Sequence, residues 1–234
     1  MVCDHASRAV PAAMQNLGLT EAQFERHIAF DIGAAEVTRL LARRLDAQAV
    51  LTGYSRLVID VNRPPGHPQS IPEISDQTVI PGNRNLSEAD QAVRVSALFE
   101  PYHNAIHEAL AHLWRRGTPP ALFSVHSFSP EFGDDHRPWD IGVLWNRDPR
   151  IAQPLIEKLA AHGLHVGDNE PYSGRDLAYT INLHGGAPGL PNCVVEINQN
   201  QIRDQDGIER WADILARVMG EILQIDDLHR VREY

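Results

Sequence analysis

The chain has 234 residues, of which 43% are hydrophobic, and a formal net charge of −10 at pH 7. This length allows one sizeable hydrophobic core, so we expect a single domain over residues 1–234. The negative charge disfavours binding to a nucleic-acid backbone or to an anionic membrane surface. A small anionic substrate can still bind, because a pocket can be locally basic inside an acidic protein.

The chain contains two cysteines, Cys3 and Cys193. Two thiols cannot form a disulfide framework or a four-thiolate zinc site. No apolar run approaches the roughly 20 residues needed to span a bilayer, and the N-terminal residues lack the pattern of a secretion signal. We therefore expect a cytoplasmic protein that does not enter a membrane. The sequence does not predict the oligomeric state.

The first half of the chain predicts short strands and two helices. The first residues are apolar and predict the end of a strand just before His5. A capping-box pattern from Thr20 predicts a short helix. A longer helix is predicted from about Phe30, because apolar residues then recur at helical spacing. Residues 49–53 predict a second strand.

Residues 57–59 form a continuous apolar, β-branched run flanked by charged residues. The run predicts a buried strand. Arg56, Asp60, Asn62 and Arg63 would then lie at the ends of this strand, where α/β folds place ligand-binding groups. The alternative is a structural pair between Arg56 and Asp60 followed by a turn.

From residue 64 to residue 85 the chain is rich in proline and has no periodicity, which predicts a long loop that acts as a lid or a binding wall. Ser87 is predicted to begin the longest helical stretch, which extends to about Arg116 and must bend or break at Pro101. Further patterns predict strands over 121–125, 141–144, 179–183 and 193–198 and helices over 149–163 and 208–223. Strands that alternate with helices predict an α/β sandwich around a mostly parallel sheet.

Three polar residues follow or interrupt these strands. His5 and His126 each follow an apolar run, and Glu196 interrupts one. An unpaired buried carboxylate is costly, so Glu196 must be paired, protonated or facing a polar cavity, unless its side of the sheet faces solvent. Two imidazoles and one carboxylate suit a catalytic zinc ion, which keeps one position for water. A second carboxylate that is not bound to the metal would act as the base.

Other residues have a polar role in the predicted site. Asp31 either caps the helix predicted from Phe30 or presents its carboxylate to a metal. Asn62 with Arg63 suits bidentate docking of a substrate carboxylate. A turn over 169–174 is expected to expose Tyr172, and His184 follows the strand predicted over 179–183.

Six segments together resemble the N-formylglutamate amidohydrolase family, in the order of that family. They are residues 3–7 (CDHAS), 31–34 (DIGA), 55–63 (SRLVIDVNR), 125–128 (VHSF), 169–174 (NEPYSG) and 195–199 (VEINQ). The turn at Asp60, Asn62 and Arg63 is also similar to the substrate-carboxylate motif of zinc carboxypeptidases and aspartoacylase-like deacylases. The resemblance implies the phosphorylase/peptidyl-hydrolase fold, a three-layer α/β/α sandwich around a mostly parallel mixed sheet.

The resemblance also implies a hydrolase with one zinc ion that acts on a small anionic N-acyl amino acid. His5 and His126 would be metal ligands, and Glu196 would be the general base, with His184 as the alternative. The carboxypeptidase relatives have a glutamate three residues after their first histidine, where this chain has Arg8. Asp31 is therefore the candidate third ligand, and Asp4 is the second choice.

The leading interpretation is hydrolysis of N-formyl-L-glutamate to L-glutamate and formate. In this interpretation Arg56 stabilises the oxyanion, Asn62 and Arg63 hold the carboxylate, and Tyr172 and His184 also contact the substrate. Two alternatives stay open. One is a metal-free protein that binds a small carboxylate, and the other is a deacylase or carboxypeptidase-like enzyme with another N-acyl substrate.

Overall fold

The computed structural model describes residues 1–133 and 135–234. In chain order, the strands in these residues are β1 (Val2–Cys3), β2 (Val50–Leu51), β3 (Ile74–Ser75), β4 (Thr78–Val79), β5 (Leu122–Phe128), β6 (Glu131–Phe132), β7 (Asp135–His136), β8 (Ile141–Leu144), β9 (Val166–Asp168) and β10 (Asn192–Asn198). The α-helices are α1 (Glu21–Phe24), α2 (Ala34–Arg44), α3 (Glu88–Arg94), α4 (Glu100–Trp114), α5 (Ala152–Ala161), α6 (Tyr179–Ile181) and α7 (Gln205–Ile222).

Six of these strands form one mixed sheet in the spatial order β2-β1-β5-β10-β8-β9. β8 runs antiparallel to β10, and all other neighbours in the sheet are parallel. The remaining strands form two small hairpins, β3 with β4 and β6 with β7. The predicted mostly parallel mixed sheet is confirmed.

The two faces of the sheet are covered by different helices. On one face, Phe123, Val125 and Val195 belong to the same buried core as residues of α2, α5 and α7. On the other face, Leu122 and Val194 pack with Tyr102 and Ile106 of α4 and with residues around α6. Helices on both faces of a central sheet give the predicted three layers.

The strand register places two polar side chains on the second face. Residues alternate between faces along a strand, so His126 and Glu196 share the face of Leu122 and Val194. His126 lies directly opposite Glu196 in the parallel pair of β5 and β10. β5 and β10 each have seven residues and continue beyond His126 and Glu196. Both side chains therefore lie within their strands and not after the strand ends.

Residues 57–59 do not form a strand, so that prediction is wrong. Leu57 and Val58 are fully buried, but they lie in a turn in which the Val58 amide donates to the Ser55 carbonyl at 2.9 Å. Their carbonyls accept hydrogen bonds from side chains, Leu57 from Asn83 at 2.8 Å and Val58 from Arg94 at 2.8 Å. The apolar pattern reports burial, and these side chains satisfy the backbone without a neighbouring strand.

The strand predicted over 179–183 is also wrong. Residues Tyr179–Ile181 are helical, and a π-helical turn follows over Asn182–Gly186. The alternating apolar residues do not share one buried face: Ile181 is buried, whereas Leu183 is 42% exposed. Period-two alternation over so short a run does not distinguish a strand from a helical turn.

The remaining helical predictions are close to the structure. Thr20 caps α1 with a capping box, and Ser87 does the same for α3. A π-helical turn over Val95–Phe99 joins α3 to α4 and directly precedes the turn that contains Pro101, so the helical stretch continues without a break. No helix in the described parts of the chain has the length and apolar character that crossing a membrane requires.

The helix predicted from Phe30 begins later, at Ala34, and its N-cap residue is Gly33 rather than Asp31. Gly33 has a φ of 76°, and an added Cβ would lie 2.2 Å from the Ile202 carbonyl oxygen. The position therefore requires glycine. Asp31 lies before the cap, so its carboxylate is available for another role.

Candidate metal and active site

Three buried side chains converge at the end of β1 and along β5. His5 follows β1, Asp31 lies in the turn before α2, and His126 lies in β5. One ligand atom from each residue lies within 4.8 Å of the other two. The structure thus brings together the three residues that the sequence predicted as metal ligands, and they form a possible metal site.

Each histidine lies between two carboxylates. The Nδ1 atoms of His5 and His126 lie 3.2 Å and 2.8 Å from Oδ2 of Asp31. On the opposite edge of each ring, Nε2 of His5 lies 2.8 Å from Asp60 and Nε2 of His126 lies 2.9 Å from Asp4. Both rings therefore face Asp31 with Nδ1 and an outer carboxylate with Nε2.

This donor set fits a metal cation. A neutral imidazole has one N–H, so a ring that donates through Nε2 turns the lone pair of Nδ1 toward Asp31. Facing lone pairs require a cation between them or a second proton on the ring. An outer carboxylate on the far nitrogen is the usual partner of a metal-binding histidine. The arrangement suits a divalent ion held by His5, Asp31 and His126.

The charges of the cluster shift the pKa values of its members. Burial lowers the pKa of His126, but the hydrogen bonds to Asp31 and Asp4 outweigh it and hold that pKa well above its ordinary value. Burial raises the pKa of Asp31, but His5 and His126 hold it well below its ordinary range. The cluster therefore stabilises positive charge between its carboxylates.

The outer carboxylates are themselves held in place. Oδ1 of Asp4 accepts a hydrogen bond from the Tyr102 hydroxyl at 2.7 Å. Asp60 accepts from Arg56 Nη2 at 2.8 Å and from the Asn62 amide at 2.9 Å. Sequence reasoning did not assign this role to Asp4 or Asp60. The available signal was an aspartate adjacent to His5 and an aspartate inside the most charged turn.

Glu196 is buried on β10 and lines the same cavity as the three candidate ligands. Among the described residues, no group donates a hydrogen bond to its side chain. Burial raises the pKa of Glu196 to about 7, and the positive charge of His126 opposes the increase. The carboxylate therefore faces the polar cavity, which was one of the options predicted for it.

The cavity has a volume of about 400 Å³. Arg56 lines it, with Nη2 bonded to Asp60 and with Nη1 3.6 Å from Asp31. Asn62 and Arg63 also line it. The Asn62 side chain accepts from the Thr180 amide at 3.0 Å, which anchors the turn to α6. The ion pair of Arg56 with Asp60 that the structural alternative predicted is therefore present, and both residues also line the cavity.

Arg63 presents one unused edge of its guanidinium. Its Nη1 donates to the Asn62 carbonyl at 2.8 Å. Its Nε is buried and has no hydrogen-bond partner among the described residues. Nε and Nη2 share the edge that binds a carboxylate with two parallel hydrogen bonds. An unpartnered buried donor is costly, so this edge fits an anionic ligand.

Tyr172 and His184 have different positions. Tyr172 lines the cavity, and its hydroxyl accepts from Arg137 Nη1 at 2.6 Å. His184 is not among the residues that line the cavity, and its Nε2 lies 2.8 Å from Nδ1 of His103. Arg8 is exposed and pairs with Glu25, so it takes no part in the site. The predicted contact of His184 with substrate stays a prediction.

Solved structures share this fold. The gene product Atu2144 of Agrobacterium tumefaciens is 35% identical, with a TM-score of 0.92 over 95% of this chain and 88% of that chain. An N-formylglutamate amidohydrolase of Ralstonia eutropha is 17% identical, with a TM-score of 0.65 over 94% and 91%. The N-acetylmuramyl-L-alanine amidase Ami1 of Mycobacterium abscessus is 14% identical, with a TM-score of 0.50 over 95% and 97%. The last two likenesses concern the fold alone.

An α/β/α fold with a buried cluster of histidine and carboxylate beside an arginine-lined cavity forms a candidate enzyme site. The family model of N-formylglutamate amidohydrolase matches residues 1–203. The chain therefore belongs to the N-formylglutamate amidohydrolase family, a family of enzymes that hydrolyse amide bonds. No curated protein sequence matches the chain.

Proposed function

We propose that this protein is a zinc-dependent amidohydrolase that cleaves the amide bond of a small N-acyl amino acid. N-formyl-L-glutamate, which gives the family its name, is the reference substrate. One observation carries the proposal: three side chains with metal-binding chemistry, His5, Asp31 and His126, share a cavity with the carboxylate of Glu196. Family membership supplies the amide bond as the target.

His5, Asp31 and His126 would hold the metal through Nδ1 of each ring and one carboxylate oxygen. When bound, zinc would polarise the amide carbonyl and lower the pKa of a water molecule. Asp60 and Asp4 would fix the proton on Nε2 of each histidine and so keep Nδ1 directed into the site. Tyr102 would hold Asp4 in this position through its hydroxyl group.

Glu196 would act as the general base and then as the general acid. It has no hydrogen-bond donor among the described residues, and it lines the cavity beside the candidate ligands, so its carboxylate is free to accept a proton and to release it again. It would take a proton from the attacking water molecule. It would then give that proton to the nitrogen of the leaving amine, so that the C–N bond breaks and a free amino acid leaves.

The two arginines that line the cavity would have different roles. Arg56, fixed by Asp60, would stabilise the negative charge that develops on the carbonyl oxygen. Arg63 would hold the substrate carboxylate on its Nε–Nη2 edge, with Asn62 positioning the turn. Tyr172, which also lines the cavity, would contact the substrate.

The test combines metal analysis with a hydrolysis screen. Protein purified without added zinc is analysed for metal and assayed with N-formyl, N-acetyl and longer N-acyl amino acids. We expect near-stoichiometric zinc and hydrolysis that a chelator abolishes and zinc restores. The matched variant Asp31→Asn should lose metal affinity, because it replaces the carboxylate that contacts Nδ1 of both histidines. Zinc-loaded protein that hydrolyses none of these amides would refute the proposal.

A further inference from the structure

Tyr172 belongs to a turn that packs tightly against the central sheet. The turn consists of residues 169–174 and lies beside β8 and β9. A Cβ atom added to Gly142 of β8 or to Gly167 of β9 would collide with the Glu170 carbonyl oxygen. Glycine at these two positions therefore lets the backbone of the turn approach the strands closely.

Hydrogen bonds hold both ends of this turn. Oδ1 of Asn169 accepts from the Gly174 amide and from the Trp145 amide, both at 3.0 Å. The Gly174 carbonyl in turn accepts from Nδ2 of Asn182 at 3.0 Å. The backbone around Tyr172 is therefore held in place without a ligand.

The hydroxyl group of Tyr172 is held by a buried arginine. Nη1 of Arg137 donates to this hydroxyl at 2.6 Å, and Cζ of Arg137 lies 4.9 Å from the centroid of the Tyr172 ring. Arg137 is 6% exposed and, unlike Tyr172, is not among the residues that line the cavity. It therefore contacts the hydroxyl from outside the lining of the cavity.

This contact determines how the hydroxyl can be used. A guanidinium group only donates, so the Tyr172 oxygen turns a lone pair toward Arg137 and directs its own proton elsewhere. In the part of the chain that the structure describes, no group accepts that proton. Burial and the charge of Glu196 raise the pKa of Tyr172, although Arg137 opposes the increase, so the phenol keeps its proton near neutral pH. Tyr172 thus offers a hydrogen-bond donor beside the cavity.

We infer that Arg137 is a positioning residue, which holds the hydroxyl of Tyr172 so that this hydroxyl donates a hydrogen bond to an oxygen atom of the bound substrate. The inference rests on the amide hydrolysis proposed above and deepens it. An N-acyl amino acid offers carbonyl and carboxylate oxygens as acceptors. Without Arg137 the hydroxyl would rotate more freely, and the entropy lost in ordering it would oppose binding.

A double-mutant cycle on the zinc-loaded enzyme tests this inference. Tyr172→Phe removes the hydroxyl and keeps the ring, so kcat/KM for N-formyl-L-glutamate should fall by about tenfold or more. Arg137→Met alone should lower kcat/KM by about threefold or more. It should cause no further loss in a protein that already carries Tyr172→Phe. Tyr54→Phe, which changes an exposed tyrosine outside the cavity lining, is the matched control and should keep the wild-type value.

The cycle separates positioning from a purely structural role. If Arg137 supported only the fold, Arg137→Met would lower kcat/KM equally with and without Tyr172→Phe, and this result would overturn the inference. Wild-type kcat/KM in Tyr172→Phe would overturn it as well. If Arg137→Met does not fold, Arg137→Lys takes its place in the cycle, because lysine keeps the charge but not the planar fork.

Calorimetric binding of N-formyl-L-glutamate distinguishes failure of this inference from failure of the proposed function. The same cycle is measured as Kd in proteins that also carry Glu196→Gln. If the enzyme hydrolyses no N-acyl amino acid, the proposed function fails, and the cycle in Kd still decides the inference. If N-formyl-L-glutamate does not bind to the zinc-loaded protein, both are overturned.

Discussion

Two pairs of histidines lie on the same side of the sheet and differ in their surroundings. The rings of His5 and His126 have centroids 4.9 Å apart and cross at 74°. The rings of His103 and His184 have centroids 5.1 Å apart and are stacked at 17°. The first pair has a carboxylate at every ring nitrogen. The second pair has a carbonyl, another imidazole and aromatic rings.

The turn at residues 60–62 separates the two pairs. The Asp60 side chain contacts Nε2 of His5, whereas the carbonyl of the next residue, Val61, lies 2.9 Å from Nε2 of His103. Burial lowers the pKa of His184 to about 4, and the neighbouring His103 contributes to the decrease. Close approach of two imidazoles is therefore not enough to indicate a metal site. The carboxylates around the first pair are what make it a possible one.

The largest predicted effect comes from removing a ring of the first pair. His126→Ala should lose bound zinc and activity together while keeping the fold, because a catalytic zinc ion does not usually fold a domain of this size. Metal analysis, activity and circular dichroism measure these properties. His184→Gln is the matched control and should keep its zinc. Tightly bound zinc in His126→Ala would contradict the assignment.

Glu196→Gln should lower the rate of the chemical step without removing the metal ion bound by the first pair. The change is nearly isosteric and removes the proton acceptor, so kcat should fall by about 100- to 10,000-fold. Zinc content and substrate binding should remain close to those of the wild type. Turnover like that of the wild type would place the base elsewhere, and His184→Gln would then be the next variant to assay.

Asp60→Asn tests whether the outer carboxylates distinguish the two pairs. The variant keeps the shape but weakens the hold on Nε2 of His5, so zinc affinity should fall by about 10- to 100-fold. Competition with a chelator measures this change. Asp76→Asn is the control, because it removes a carboxylate of the same cavity that contacts neither ligand histidine. If Asp60→Asn and the wild type had equal zinc affinity, Asp60 would serve only to hold Arg56 in place.

The sequence pointed to His126 and Glu196 because each stands beside or inside an apolar run, whereas His5 follows only a short one. Glu196, between Val195 and Ile197, is the clearest case, since a carboxylate in a buried strand requires a special environment. The sheet was predictable for a similar reason: its central strands β5 and β10 each have seven residues and contain short apolar runs, Leu122 and Phe123 in one and residues 193–195 in the other.

The roles of Asp4 and Asp60 could not be predicted in this way. Their partners lie 122 and 55 residues away in the chain. No local pattern reports such contacts. The turn at residues 57–59 was misassigned for a similar reason, because Asn83 and Arg94 satisfy its carbonyls from distant positions. Arg56 and Asp60 form the predicted ion pair, and they also lie beside the cavity. The two alternatives predicted for these residues are therefore compatible.

Arg63→Lys tests whether Arg63 holds the carboxylate of the substrate. Lysine keeps the charge but not the planar fork. The loss in kcat/KM for a carboxylate substrate should correspond to about 2 kcal/mol. The loss should nearly vanish when the substrate carboxylate is replaced by an amide, and the double comparison measures the coupling. An equal loss with both substrates would mean that Arg63 supports the fold.

The smallest predicted effect concerns the second pair and the pH dependence of stability. His184 has a pKa of about 4 in the folded protein, below its ordinary value of 6.5, because burial disfavours its charged form. The unfolded chain therefore binds the proton more strongly. This residue's contribution to the free energy of unfolding is present above about pH 6.5 and is lost as the pH falls toward 4.

His184→Gln should remove that contribution, so the decrease in unfolding free energy between pH 6.5 and 4 should be smaller in the variant than in the wild type. His184 is only half-buried, so we expect a difference on the order of 1 kcal/mol. Urea titrations at several pH values measure it, with His162→Gln, a change to an exposed histidine, as the control. Parallel pH profiles for the wild type and His184→Gln would mean that His184 is protonated as readily in the folded chain as in the unfolded one. Metal binding would then be the only predicted difference between the first pair, His5 and His126, and the second pair, His103 and His184.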